Sequence, residues 1–213
     1  LKGSMELLAD RDPEEARQLL DPILMLMMDA VHHYDGTVNQ VMGDGIMALF
    51  GAPIAHEDHA VRACYAALVM QEVVKRHAKE PYRRQGLEVQ IRIGLNSGEV
   101  VVRSIDSDLH MDYTAVGQTT HLAARMEQLA RPGTILLTAG TWCLVEGYFE
   151  VKPVGAVPVK GLTTPVQAYE LLRAEAVRSR LQVSAARGLT PFVGRERELA
   201  VLARAVLGEL ICG

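Results

Sequence analysis

Residues Val38–Pro53 read VNQVMGDGIMALFGAP, two short apolar runs joined by Gly-Asp-Gly. Asp-Gly is a favoured two-residue turn, so Thr37–Met42 and Ile46–Phe50 are predicted to be antiparallel strands with Asp44-Gly45 at the corner. An exposed hairpin corner normally has polar flanks. Here Val41-Met42 and Ile46-Met47 carry apolar side chains up to the turn on both sides. Asp44 is therefore either a plain turn residue or a carboxylate held out for a metal.

The flanking segments are helical. Asp12-Pro13-Glu14-Glu15 contains an N-cap, a first-position proline and a glutamate three residues after the cap. Ala16, Leu19, Leu20, Ile23, Met27, Ala30, Val31 and Tyr34 then recur at helical spacing, with Gly36 as the expected stop. A second helix is predicted from about Glu57 to Lys79, burying Ala60, Ala63, Cys64, Ala67, Leu68 and Val74. Leu87 to Leu95 and Glu99 to Ile105 are expected to form a second hairpin around Asn96-Ser97-Gly98, followed by a polar loop. Gln118 to Ala130 is a third helix, stopped by Arg131-Pro132-Gly133. Strands are predicted at Thr134 to Thr138, Phe149 to Val154 and Val166 to Leu172. This order implies an α+β arrangement, helices over a mostly antiparallel sheet.

The chain has 213 residues, 49% of them hydrophobic, enough for one well-buried α/β domain and an appendage. A net charge of -4 offers no basic field for nucleic acid. No apolar run approaches the roughly 18–20 residues that cross a bilayer, and a cytoplasmic setting is expected. Cys64, Cys143 and Cys212 are widely spaced and read as thiols in a reducing compartment. Beyond Arg173 the pattern dissolves into a linker to about residue 189. TPFVGRERELAVL, Thr190 to Leu202, then restarts an amphipathic pattern and reads as the beginning of a further domain.

A second group of candidate residues lies in YTAVGQTTHLAARMEQLA, Tyr113 to Ala130. His121 and Arg125 are four apart and share one face of the predicted helix, while Leu122, Met126 and Leu129 fall on another and are expected in the core. Such a polar pair is either a solvated face or part of a site. His56-Glu57-Asp58-His59 and His32-His33 suit helix ends better than zinc. No phosphate-binding Walker sequence is present.

Taken together, LKGSMEL, GTVNQVMGDGIMALFGAP, IRIGLNSGEVVV, YTAVGQTTHLAARMEQLA and VKGLTTPVQAYEL resemble the catalytic domain of class III nucleotidyl cyclases, the adenylate and guanylate cyclases. The similarity runs from Leu1 to about Leu172, in order and in spacing. It implies a ferredoxin-like, palm-like antiparallel sheet covered by helices. It also implies domain limits of 1–172 for the cyclase domain, 173–189 for a linker and 190–213 for the start of an attached ATPase-type domain. The implied reaction joins the ribose 3′-oxygen of ATP, or of GTP, to its own α-phosphate and expels pyrophosphate. Two divalent ions, Mg²⁺ or Mn²⁺, serve that chemistry.

By the same resemblance Asp44 is one of the two metal-binding aspartates. The other is expected immediately ahead of Leu1, so the chain reads as a fragment. Leu1 would offer its backbone carbonyl to a metal, and the loop containing Gly3 and Ser4 its amides to the phosphates. Gln40 and Thr114 occupy the base-reading positions, where many adenylate cyclases carry Lys and Asp or Thr. His121 stands where the family orients the ribose with Asn, Arg125 matches the charge-stabilising Arg, and Lys160 faces the triphosphate. Such domains work as head-to-tail homodimers with shared sites. The departures at Gln40 and His121 leave a second reading: a weakly active dimerisation and nucleotide-sensing module that regulates the ATPase domain. A diguanylate cyclase is disfavoured, because the hairpin lacks that family's adjacent acidic pair.

Overall fold

The computed structural model describes residues 12–78, 89–107, 110–159, 162–175 and 194–211, together with 182 and 188, with backbone alone at 13, 16, 102–116 and 205–211. The chain divides into two compact units, Leu1–Val177 and Arg178–Gly213.

In the first unit, helix α1 (Pro13–His33) starts as expected: the Asp12 carboxylate accepts the Glu14 N–H at 2.9 Å, with Pro13 at the first helical position. Its end differs from expectation. The left-handed residue is Asp35 (φ 56°), not Gly36. Asp35 N donates to His32 O and Gly36 N to Val31 O, each at 3.0 Å, which is a Schellman closure. Gly36 is needed for space instead, since a Cβ there would lie 2.6 Å from the Phe50 ring and 2.8 Å from Val31.

Strands β1 (Thr37–Met42) and β2 (Gly45–Leu49) pair antiparallel with Val41 opposite Ile46 and Met42 opposite Gly45. The turn is therefore Gly43-Asp44, one residue earlier than Asp44-Gly45. Gly43 at the first turn position has φ +60°, the signature of a type II′ hairpin. The register slips between Val38 and Gln40, so Asn39 is a bulge residue next to the proposed base reader.

Helix α2 (His59–His77) buries Ala60, Cys64, Ala66, Ala67, Met70 and Val74; Ala63 and Leu68 are only half-buried. Ile23, Met27, Val31, Met70 and Val74 form one core cluster, against which Val38, Ile46, Ala48 and Phe50 of the hairpin region pack. That contact gives the hairpin an inner face, leaving Val41 and Met42 half exposed. Full burial raises the Cys64 thiol to about 12, so it is inert.

The second predicted hairpin does not form. Strand β3 (Ile93–Leu95) pairs parallel with β6 (Ile135–Thr138), and β4 (Val101–Ser107) pairs antiparallel with β5 (His110–Val116), the segment expected to be a polar loop. The alternation in HMDYTAV carried the strand signal; the Asn-Ser-Gly turn lies between strands of different sheets. Helix α3 (Gln118–Leu129) follows, then β6, an unpredicted short helix α4 (Ala139–Val145), β7 (Phe149–Val157) and β8 (Val166–Ala174). The main sheet has the order β3-β6-β8-β7, with β8 antiparallel to both neighbours. All four residues of β6 are buried because both faces are covered. Ile135 and Leu137 join the cluster under α2 and α4, while Leu136 joins Met126 and Ala130 of the α3 segment. Leu129, expected in the core, is 44% exposed.

The second unit contains α5 (Glu196–Ile211), whose Glu196 carboxylate accepts the Gly194 N–H at 3.1 Å ahead of the first turn.

Candidate active site

The hairpin supplies the acidic residue. Asp44 sits at the second turn position and is half-buried, and a Cβ placed on neighbouring Gly43 would meet nothing within 4 Å. Asp44 thus stands at a sharp hairpin corner, next to a glycine that faces open space. Carboxylate oxygen is the hard donor that Mg²⁺ and Mn²⁺ prefer. Among the described residues no three His, Cys, Asp or Glu side chains converge on one point. Leu1, Gly3, Ser4 and Lys160 fall outside the described residues.

Gln40 is exposed on β1, and Thr114 lies in β5 opposite Arg103. The structure brings these two strands side by side. Helix α3 in turn packs against β5, β3 and β6. The elements holding Asp44, Gln40, Thr114, His121 and Arg125 are thus contiguous: hairpin, β5, α3.

On α3, His121 is exposed and Arg125, one turn later, is half-buried. The Arg125 guanidinium donates to Gln128 Oε1 at 2.5 Å. Sequence reasoning missed Gln128, although its i,i+3 spacing from Arg125 was the available signal. A neutral amide holds the guanidinium without cancelling its charge, leaving it able to turn to an anion.

The placement of α3 is unusually close. A Cβ on Gly94 would come within 2.2 Å of both Ala123 O and Glu127 N, so only glycine lets the helix backbone rest on β3. Arg92 pairs with Glu127 at 2.9 Å along the same seam. Asn96 Nδ2 donates to Thr119 O at 3.0 Å, and Thr119 Oγ1 donates to Glu99 O at 2.7 Å. These bonds hold the first turn of α3 from outside the helix, a role that the Asn-Ser-Gly turn reading did not anticipate.

The comparisons with known proteins bear on the family and the fold. The model of the adenylate and guanylate cyclase catalytic domain matches residues 1–173. The chain belongs to that family. Adenylate cyclase 1 of Rhizobium meliloti (strain 1021) is 32% identical to this cyclase domain over 165 residues, 76% of the chain but 25% of the relative. The chain therefore spans about a quarter of the length of the curated relatives it matches. Among solved structures, the adenylyl cyclase CyaB from P. aeruginosa is similar with a TM-score of 0.75 and 30% identity, covering 82% of this chain and 90% of the other. The guanylyl cyclase Cya2 gives 0.74 and 30%, covering 82% and 89%. The α+β cyclase fold is shared with both. No described helix of this cyclase domain is long and apolar enough to cross a membrane.

Proposed function

We propose that the protein is a purine nucleotide cyclase that converts ATP to 3′,5′-cyclic AMP and pyrophosphate, working as a head-to-tail homodimer. The ribose 3′-oxygen forms a bond to the α-phosphorus, the bond from that phosphorus to the bridging oxygen of pyrophosphate breaks, and the 3′-hydroxyl proton passes to solvent. The observation that carries this reading is that a chain of the cyclase family presents both an acidic hairpin corner and a helix face with His121 and Arg125 one turn apart. The two lie on separate elements, the β1–β2 hairpin and α3, so each protomer can lend one of them to a site shared with its partner.

Asp44 would hold divalent metal together with the Leu1 carbonyl and the aspartate expected ahead of it. When bound, two Mg²⁺ or Mn²⁺ ions supply activation of the attacking oxygen and neutralisation of phosphate charge. Arg125 leaves Gln128 and stabilises the negative charge that builds on the phosphates. His121 donates one hydrogen bond to the ribose. Gly3, Ser4 and Lys160 contact the triphosphate. Gln40 and Thr114 face the base; an amide and a hydroxyl each donate and accept, so GTP is the competing substrate. ATP is favoured because Thr at the second position suits adenine in the family pattern and a relative at 32% identity is an adenylate cyclase.

In the dimer, Asp44 of one protomer faces His121 and Arg125 of its partner across a shared groove. Residues 1–172 form this catalytic unit, 173–189 a linker, and 190–213 the start of an ATPase-type domain that regulates turnover by moving the subunits. A cytoplasmic setting, where nucleoside triphosphate is supplied, goes with this reading.

The test is turnover by the full-length protein with Mg²⁺ or Mn²⁺, following cyclic AMP, cyclic GMP and pyrophosphate. Cyclic AMP with equimolar pyrophosphate is expected. Binding of ATP without turnover of either purine would replace this reading with that of a nucleotide-sensing module.

A further inference from the structure

Beneath the first turn of α3 lies a chain of side-chain hydrogen bonds that the proposed chemistry does not use. Thr138, buried at the junction of β6 and α4, donates from Oγ1 to Asn96 Oδ1 at 2.7 Å. Its hydroxyl also lies 3.3 Å from that of Thr141, which is 1% exposed and donates to Ser97 Oγ at 3.2 Å. Asn96 completes the chain with its 3.0 Å bond to Thr119 O. A backbone carbonyl only accepts, so the amide nitrogen of Asn96 must face Thr119, and the Thr138 hydroxyl holds it in that orientation.

The mechanical consequence is specific. Thr119 is two residues before His121 and six before Arg125 on a rigid helix. Gly98 passes so near that a Cβ there would lie 2.7 Å from Thr119 Oγ1, leaving the turn little room to settle elsewhere. The first turn of a helix has no N–H acceptor demands on the Thr119 carbonyl other than the intrahelical bond, so an added donor from Asn96 selects one seating of the helix end. Buried polar networks of this kind, when fully satisfied, favour one arrangement over near alternatives.

We propose that Asn96, oriented by Thr138, is a positioning residue for the reaction. It sets the seating of α3 and through it the reach of His121 and Arg125. It touches neither substrate nor metal. The inference rests on the cyclase reading above, and its two measurements separate the failure of one from the failure of the other.

The first measurement is backbone hydrogen exchange in the full-length protein carrying Asn96→Asp, which keeps the acceptor for Thr138 and removes the donor to Thr119. Exchange is expected to rise at the N-terminal half of α3 and to stay unchanged in β6 and β8; Thr138→Val should raise exchange in the same half of α3 and also at the start of α4, which Thr138 caps. Unchanged exchange in α3, or a rise throughout the sheet, would overturn the positioning role whether or not the protein turns over ATP. The second measurement is steady-state kinetics. A small error in placement costs up to about a hundredfold, so Asn96→Asp is expected to lower kcat about 10- to 100-fold while KM for ATP changes less than about threefold. In an Arg125→Ala background the same change should cost several-fold less than in the parent, because one of the two positioned groups is gone. An undiminished loss in that background, or a kcat within about twofold of the parent, contradicts the proposal. Absence of turnover in the parent with altered α3 exchange in the variant overturns the cyclase reading and leaves the helix lock standing.

Discussion

The β1–β2 hairpin and helix α3 carry the two halves of the proposed site, and different interactions hold them. The hairpin corner is set by its own residues: Gly43 with φ +60°, Asp44 after it, and a bulge at Asn39. Its inner side chains Val38, Ile46 and Ala48 anchor it to the α1–α2 core, while at the corner Gly43 is exposed and Asp44 half-buried. Helix α3 instead depends on residues 23 to 35 positions earlier. Gly94 admits its backbone, Arg92 pairs with Glu127, and Asn96 holds Thr119. The acidic half of the site is thus locally encoded, and the cationic half is placed by tertiary contacts.

Adding one methyl group to each region sharpens this contrast. At Gly94 the methyl meets backbone atoms at 2.2 Å, which cannot rotate away, so Gly94→Ala is expected to destabilise the domain by about 3 kcal/mol. At Gly43 the methyl meets nothing within 4 Å, and only the left-handed backbone is penalised, so Gly43→Ala should cost about 1 kcal/mol. Urea unfolding of the two variants measures both. Equal losses would mean that α3 is not seated on β3 as closely as the structure shows.

The smallest effect concerns the support behind the hairpin. Arg62 of α2 bonds Asp58 at 2.8 Å and also pairs with Asp35 at the end of α1, one residue before the turn into β1. The hydrogen bond from Arg62 holds the Asp58 carboxyl below its usual value of 3.8, with the nearby positive charge acting in the same direction. A carboxylate lowered in this way contributes stability above its unfolded pKa, and that contribution is lost as pH falls through the folded value. The Asp58 side chain is 45% exposed, so the contribution should be below about 1 kcal/mol. Asp58→Asn should lower stability at pH 7 slightly and leave it unchanged near pH 2. A variant that loses the same stability at both values would assign Asp58 a packing role instead.

The difference between the regions also explains what could be read from sequence. Gly43-Asp44-Gly45 announced a hairpin because turn chemistry is local, although the register differed by one residue. The Asp12-Pro13 start of α1 and the Arg131-Pro132-Gly133 stop of α3 were legible for the same reason. The partners of β3 and β4 were not. Leu95 and Val101 are close enough in sequence to suggest a hairpin, yet one strand joins β6 and the other β5. Parallel pairing across about 40 residues leaves no local mark. His121 and Arg125 are proposed from spacing and resemblance. Asn96 was hidden because an Asn before Ser-Gly has an adequate explanation as a turn residue.

The central claim is that the hairpin corner of one protomer works with the cationic face of α3 from its partner. Mixing two full-length variants tests it most directly. Asp44→Asn and Arg125→Ala should each be nearly inactive alone, losing about a hundredfold or more in turnover. Co-expressed, they should recover about a quarter of parental activity, since half of the dimers are mixed and each mixed dimer holds one intact site. A mixture that stays as inactive as its components, from a parent that turns over ATP, would contradict the shared site.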